Sequence, residues 1–395
     1  MTPPEADAVL VRYGEIGTKS ERVRRWMEDR LLENLSARLA DRGIEATLDR
    51  RYRSRPIVRT TEADVDAAAE SAAATFGVVS ASAAATVDPT EEAITDAMAR
   101  AAAARYDGGS FAVRARCAGE DHPLSSEELQ AAGGDAVWHA VEERFEPSVD
   151  LDDPDWTVFV ECRDGEAFLF LQKRSGPGGL PLGSQDPLVA LVSGGIDSPV
   201  AAYEAMRRGS TVIPLYVDLG PYGGVDHRAR AVETVGTLAE SVPDSGLGLR
   251  VAPGGEAAEA LMASMDGGRM LAWRRFTFLV AEEVANREDA AGIVTGEAIG
   301  QKSSQTGRNL AVTSAATELP IHRPLLSADK NDIAQRAREL GTYPDSTIPV
   351  GCNQLAPDRP ETRGSVAEIG RREPDDLDAL AAAAARELEV VEPPV

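Results

Sequence analysis

The chain has 395 residues, a formal net charge of -24 and 43% hydrophobic residues, which bounds it to two or three globular domains. No apolar run approaches the roughly 20 residues that span a bilayer. Residues 1–5 show no basic stretch ahead of an apolar one, so neither a membrane nor a secreted protein is expected.

Three cysteines, Cys117, Cys162 and Cys352, are odd in number and far apart, which argues against a disulfide framework and fits a reducing cytoplasm. Lysine occurs only at Lys19, Lys173, Lys302 and Lys330; arginine supplies the remaining positive charge. An acidic surface with little lysine is expected of a protein working in high salt, where charge repulsion is screened within a few Å. Against the overall trend, basic side chains outnumber acidic ones in residues 1–60. Such a local basic surface says more about partners than net charge does; the alternative is solvated arginines paired with Glu21, Glu28 and Asp29.

In chain order, residues 7–13 read as a buried strand and 20–42 as a long helix, with Val23, Trp26, Met27, Leu31, Leu35 and Leu39 near helical spacing and Gly43 as its stop. Strands follow near 45–48 and 56–60, then a helix from 62 to 73. Phe76–Val79 reads as a strand or turn. Asp88-Pro89-Thr90 caps an alanine-rich helix to Ala104. Ser110–Arg116 alternates, which puts Arg114 and Arg116 on one face of a strand. Ser125–Phe145 is helical with an interruption at Gly133-Gly134, and Trp156–Cys162 with Ala167–Leu171 form a hairpin. Ser175–Pro181 is a glycine- and proline-rich linker. Beyond it, apolar strands (188–192, 211–217, 249–251, 291–294) alternate with helices (199–208, 226–240, 269–287), which implies a doubly wound parallel sheet covered on both faces. Pro374–Val395 reads as a peripheral acidic helix and tail.

The strongest chemical signal is Ser193-Gly194-Gly195-Ile196-Asp197-Ser198, between a strand and the helix opened by Pro199. Two glycines let backbone approach an anion closely, and the helix start aims N–H groups and a positive dipole at it. The loop lacks the Gly-Lys-Ser/Thr end of a Walker loop. It resembles the pyrophosphate loop (PP-loop) of ATP pyrophosphatases, which split ATP between the α- and β-phosphates and activate a carbonyl oxygen as an adenylate. A loop alone does not fix the substrate.

The whole chain resembles the tRNA 4-thiouridine synthetase family, also called thiamine-biosynthesis sulfurtransferases. The resemblance is carried by Arg12-Tyr13-Gly14-Glu15, Phe111–Arg116, Gly178–Gly183, Thr295-Gly296-Glu297, Ser304-Gln305-Thr306, Arg323-Pro324-Leu325 and Asp329-Lys330. It implies an α+β N-terminal ferredoxin-like domain over 1–62, a tRNA-binding THUMP domain over 63–174, and an α/β PP-loop ATP pyrophosphatase domain over 175–395 that lacks the rhodanese domain of some relatives. Carried over position by position, it implies ATP contacts at Leu191, Val192, Ser193, Gly194, Gly195, Asp197, Ser198, Tyr216, Arg274, Gly296 and Gln305. Asp197 would position the nucleotide or its magnesium, Lys330 would stabilise charge, and Cys352 would carry persulfide sulfur. The basic N-terminal stretch, with Arg12, Lys19, Arg24 and Arg25, gains the role of a tRNA surface together with Arg114 and Arg116.

The cofactors expected are ATP and Mg2+. Some relatives hold an iron–sulfur cluster on a Cys-x-x-Cys pair; here those positions are Met270 and Trp273, so no cluster is expected. His122, His139, His227 and His322 show no metal-site spacing, and no protein metal site is expected. The partners implied are tRNA, with the uridine at position 8 as target, and a sulfur donor, either a cysteine desulfurase persulfide or sulfide. Dimerisation is common in the family. Two alternatives stay open: sulfur transfer to a carrier protein for thiamine thiazole synthesis, and a non-catalytic tRNA-binding protein.

Overall fold

The structure, a computed structural model, describes residues 1–395 except 53–54, 118–124, 224, 243–246, 303, 345–354, 356–360 and 394–395. It divides into two units, Met1–Pro181 and Leu182–Val395.

The first unit begins with β1 (Ala8–Tyr13), α1 (Glu21–Asp41), β2 (Thr47–Asp49), β3 (Ile57–Arg59), α2 (Val65–Ala73) and β4 (Val78–Val87). The βαββαβ order and the strand sequence β2-β3-β1-β4 are those of a ferredoxin-like fold, which therefore continues past residue 62 to Val87. The alternation of β1 explains its burial on both sides. Val9 and Val11 pack under α1 and α2, while Ala8 and Leu10 pack with Ile57, Phe168 and Phe170 on the opposite face. On α1 the buried seam is Met27, Leu31, Leu35 and Leu39, a strict four-residue repeat. Val23 and Trp26, expected in that seam, are exposed. The repeat continues back from Met27 to Val23, yet on the first turn it is Arg24, paired with Glu28, that is buried instead.

The sheet continues through α3 (Glu91–Arg105), β5 (Ser110–Cys117), α4 (Ser126–Val141), β6 (Ser148–Val149), β7 (Trp156–Arg163), β8 (Glu166–Phe170) and β9 (Arg174–Ser175). β8 pairs with β4, giving the order β4-β8-β7-β5-β6, and β9 also pairs with β4. α3 and α4 bury Ile94, Met98, Leu129 and Val137 against Phe111, Val113, Val158 and Leu169.

Two expectations need correction here. β4 is a ten-residue central strand, not the short strand or turn read at Phe76–Val79. Its Ser-Ala-Ser-Ala-Ala-Ala run lacks the β-branched and aromatic residues that mark strands, and tertiary pairing overrides that composition. α4 runs without interruption through Gly133 and Gly134, and ends at Val141. A Ser125–Glu128 capping box starts it. Gly133 lies against the neighbouring helix, where an added Cβ would come within 2.4 Å of Met98 Sδ.

The second unit comprises β10 (Gln185–Leu191), α5 (Asp197–Arg207), β11 (Ser210–Asp218), α6 (Val225–Ala239), β12 (Leu249–Pro253), α7 (Gly255–Ser264), α8 (Arg269–Glu288), β13 (Ile293–Val294), α9 (Gly307–Ser314), β14 (Ile321–His322), α10 (Lys330–Glu339), α11 (Val366–Gly370), α12 (Leu377–Arg386) and β15 (Glu389–Val391). The order is β14-β13-β10-β11-β12-β15, parallel except for β15. The strand order reverses between β10 and β13, so a crevice opens at the carboxyl ends of β10, β11 and β13. The C-terminal segment is not peripheral. α12 buries Leu377, Ala381, Ala384 and Ala385 in the main core, and β15 pairs antiparallel with β12. Alanine needs little room, so a helix rich in it can lie close against α8. Among the described residues, no helix is long and apolar enough to cross a membrane.

Candidate functional site

The chain leaves β10 at Leu191 and turns into α5 at Asp197. The intervening loop is tied to itself through Ser198, whose Oγ accepts from Ser193 N and donates to Ser193 O, both at 2.9 Å. This fixes the loop backbone at the start of α5, where unpaired N–H groups and the helix dipole favour an anion. From the neighbouring strand β13 the chain passes directly over this turn. A Cβ on Gly296 would come within 2.6 Å of Asp197 C and 2.7 Å of Ser198 N, so only glycine fits there.

A cavity of about 490 Å³ opens beside the loop. This is a size that suits a nucleotide. Its wall contains every residue expected to contact ATP: Leu191, Val192, Ser193, Gly194, Gly195, Asp197, Ser198, Tyr216, Arg274, Gly296 and Gln305. Tyr216 comes from the end of β11, where burial, and then Asp218, pushes its phenol well above the ordinary range; it is therefore a neutral donor. Arg274 comes from α8. Its Nη1 donates to Glu297 Oε1 at 2.7 Å. With the Gln305 amide turned to satisfy both neighbours, its oxygen accepts from Arg274 Nη2 at 3.2 Å and its nitrogen donates to Ala298 O at 3.1 Å. Burial lowers the pKa of Arg274, and Glu297 opposes that shift. Arg323 Nε donates to the other Glu297 oxygen at 2.9 Å. One buried carboxylate thus holds two arginines.

Lys330, the first residue of α10, reaches Asp197, with Nζ 2.9 Å from Oδ1. Sequence reasoning gave no role to His227, Arg230, Trp273, Glu297 and Lys302, which also line the cavity. Glu297 was visible inside the Thr-Gly-Glu motif; Arg230 carried no local signal. Cys352 lies outside the described residues. The chain beyond it is anchored to α9: Thr306 Oγ1 donates to Thr362 O at 3.0 Å, and Asn309 Nδ2 to Glu361 O at 2.8 Å. These anchors sit next to Gln305 of the cavity wall. Cys162 is buried, and burial, with Cys117 beside it, pushes its thiol up to about 12. Burial disfavours its thiolate, and the side chain packs in the core as a small apolar group. Among the described residues no group of three potential ligands could hold a metal ion.

In the first unit, Arg12 is half-buried and donates to Glu161 from Nε and Nη2 at 3.1 and 2.8 Å. Arg24 is buried and paired with Glu28, while Arg25 pairs with Glu21 on the surface. Lys19, Arg114 and Arg116 are exposed, and Arg114 also donates to Leu151 O. A stronger cluster surrounds Glu161, which pairs with Arg12, Arg55 and Arg163. Lys173 lies 4.4 Å over the Phe159 ring, and Arg12 4.7 Å over Phe170, whose ring stacks on Phe159 at 5.1 Å. Burial, and next Arg12, lowers the pKa of Lys173.

A parallel sheet whose phosphate loop opens on a nucleotide-sized cavity, preceded in the chain by a ferredoxin-like unit with cationic clusters, defines a nucleotide-using enzyme of the PP-loop class. Three family models match in succession: the ThiI ferredoxin-like domain over residues 8–82, the THUMP domain over 88–172, and the thiamine biosynthesis protein (ThiI) over 183–376. The chain is 55% identical over 392 residues to a probable tRNA sulfurtransferase of Halobacterium salinarum, covering 99% of each. It is 39% identical over 364 residues to one of Methanosarcina acetivorans, covering 91% of this chain and 87% of the relative. A crystal structure of a 4-thiouridine synthetase–RNA complex with bound ATP matches with a TM-score of 0.85 and 27% identity, covering 98% of this chain and 100% of that one. The chain belongs to the ThiI family of tRNA sulfurtransferases. The Halobacterium relative also agrees with the salt-adapted composition.

Proposed function

We propose that this protein is an ATP-dependent tRNA sulfurtransferase that converts a uridine, at position 8 of tRNA, to 4-thiouridine. The observation that carries the reading is the cavity beside the Ser193–Ser198 loop, whose wall gathers the whole expected ATP set from five separate segments. ATP lies with its phosphates on the loop and α5 and its nucleoside toward Tyr216, Arg274 and Gln305. Uridine O4 attacks the α-phosphorus as N3 gives up its proton. The bond to the β-phosphate breaks, and pyrophosphate leaves. Lys330, held by Asp197, balances charge on the reacting phosphate.

A persulfide on Cys352 then attacks C4 and expels AMP, leaving a C4–S–S–Cys352 link. An external thiol cleaves that link, releasing 4-thiouridine and a mixed disulfide on Cys352. Hydrosulfide attacking C4 directly gives the same base without the cysteine. The sulfur comes from a desulfurase persulfide or from sulfide. The anchoring of residues 361–364 beside Gln305 supports bringing Cys352 to this site.

Among the described residues the carboxylates on the cavity wall are Asp197, which pairs with Lys330 through Oδ1, and Glu297, whose two oxygens each hold an arginine. A magnesium ion therefore fits as a companion of the ATP phosphates with Asp197 as its protein ligand, where it would neutralise phosphate charge. Met270 and Trp273 offer no thiolate, so no iron–sulfur cluster enters the reading. On the first unit, Lys19, Arg25, Arg114, Arg116 and the cluster around Glu161 form the tRNA surface, recognising shape and phosphate. ATP and tRNA as substrates fit a cytoplasmic enzyme.

Nucleoside mass spectrometry of tRNA from wild-type, deletion and Cys352→Ala cells tests this. The expected result is 4-thiouridine lost in the deletion and not restored by the variant. Restoration of the variant's activity in vitro by added sulfide marks the direct route. Persistence of 4-thiouridine in the deletion sinks the reading, leaving sulfur transfer for thiazole synthesis, which the thiamine description of the family model favours.

A further inference from the structure

Among the described residues, two polar side chains on the cavity wall carry buried nitrogens without a hydrogen-bond partner. Arg230, on α6, is 5% exposed, yet its Nε and Nη2 lack a hydrogen-bond partner among the described residues. Among those residues Nη1 makes one long contact, of 3.5 Å with Gly194 O. One turn earlier, the buried Nε2 of His227 is also without a partner among the described residues. Both residues line the cavity, and their spacing of three puts them on one face of the helix.

A guanidinium cannot shed its proton. Among the described residues Arg230 has no carboxylate partner. Folded proteins rarely leave buried donors open unless something outside the chain completes them. The open donors therefore point to an anionic ligand.

The position of Arg230 names which anion. A Cβ on Gly194 would come within 2.8 Å of Arg230 Cβ and 2.9 Å of its Cδ, so the stem lies directly on the phosphate loop. In the ATP-dependent reading above, the nucleoside falls to other elements of the cavity wall: Tyr216 on β11, Arg274 on α8, and Gly296 and Gln305 beyond β13. We propose that Arg230, with His227 beside it, binds the β- and γ-phosphates of ATP and holds the pyrophosphate as it leaves. The proposal rests on the ATP-dependent reading above and deepens it.

When the α–β bond breaks, the bridging oxygen departs with the electron pair on the β-phosphate. Negative charge thus builds on the pyrophosphate, next to a fixed cation. Such a contact is stronger in the transition state than with bound ATP, and so it lowers the barrier as well as KM. Burial matters especially at high salt. The Debye length falls to about 3 Å at 1 M, so only a cation in direct contact keeps its hold.

Arg230→Met keeps the stem that packs on Gly194 and removes the donors; Arg230→Lys keeps the charge without the planar fork. The experiment is titration calorimetry of the full-length protein with inorganic pyrophosphate and, separately, with AMP, in molar KCl. In Arg230→Met, pyrophosphate affinity is expected to fall by about tenfold or more, with partial recovery in Arg230→Lys. AMP affinity is expected to stay within about threefold of wild type, since a folded nucleoside site is untouched. Unchanged pyrophosphate affinity overturns the proposal. So does an equal loss for AMP and pyrophosphate, which would make Arg230 a prop for the loop. A wild-type protein that releases no AMP and pyrophosphate from ATP with tRNA present would end the thiolation reading, while the calorimetric contrast would still decide the role of Arg230.

Discussion

Glu297 is 4% exposed and pairs with two arginines that are themselves only 18% and 13% exposed in their side chains. Glu297→Gln keeps the shape and removes the charge that balances both. Removing one partner of a buried ion pair costs about 3–5 kcal/mol. Here two cations are orphaned, but both keep some contact with water, and Gln retains one acceptor. A loss of about 3 kcal/mol is therefore the reasoned figure. In a unit of this size it lowers Tm by about 6–12 °C, measured by circular dichroism in molar KCl. Arg274 also loses the contact that directs Nη1, so ATP affinity falls by about tenfold. Adding Arg323→Met to Glu297→Gln removes one of the orphaned cations and recovers part of the lost stability. If Glu297→Gln melts within about 2 °C of wild type and binds ATP normally, Glu297 does not organise the site as argued.

Three further outcomes are expected. In Gly296→Ala the new Cβ meets the Asp197 and Ser198 backbone, so ATP binding is lost and stability drops by about 1–3 kcal/mol; calorimetry showing normal ATP binding would contradict the close approach. Lys330→Met removes a largely exposed ion pair, so stability changes by less than about 1 kcal/mol while kcat for AMP formation falls about 10²–10³-fold; an unchanged kcat would reduce Lys330 to a surface pair. At Glu161, burial raises the carboxyl pKa but Arg12 and Arg55 outweigh it, giving about 2 against an ordinary 4.5. That stabilisation is complete above pH 4.5 and is lost as pH falls through about 2, so Glu161→Gln should be less stable at neutral pH and flatten this part of the denaturant-midpoint profile; parallel profiles would refute the assignment.

The site was legible where chemistry and chain coincide. Ser193–Ser198 is contiguous because a loop that wraps an anion needs neighbouring N–H groups, and a strand and helix flank it. Arg230 was not legible, because its partner Gly194 is 36 residues away and nothing local marks the contact. In the fold, β10 and β11 announced themselves through apolar runs. β4 did not, since its Ala and Ser residues carry no strand signature and its pairing with β1 and β8 is non-local. The Gly133-Gly134 pair looked like a break because helix propensity was read without the neighbour: Met98 leaves no space for a side chain at 133, while Gly134 meets nothing.

A chain with a net charge of -24 and an RNA partner is less contradictory than it first looks. At molar salt the field of the whole molecule is screened within about 3 Å, so neither the acidic surface repels RNA at a distance nor a basic one attracts it. What remains is contact-range recognition, which depends on where individual donors are held. On the first unit Glu161 holds donors in place in this way. It anchors Arg12, Arg55 and Arg163 in one place, beside Phe159 and Phe170 carrying Lys173 and Arg12 over their rings. A single buried carboxylate among several cations leaves the cluster net positive and its guanidinium groups already ordered, so little rotamer entropy is lost when a phosphate arrives. The same device recurs in the second unit, where Glu297 holds Arg274 at the cavity wall. In both, a buried acidic residue fixes arginines in position, and global charge tells nothing about it.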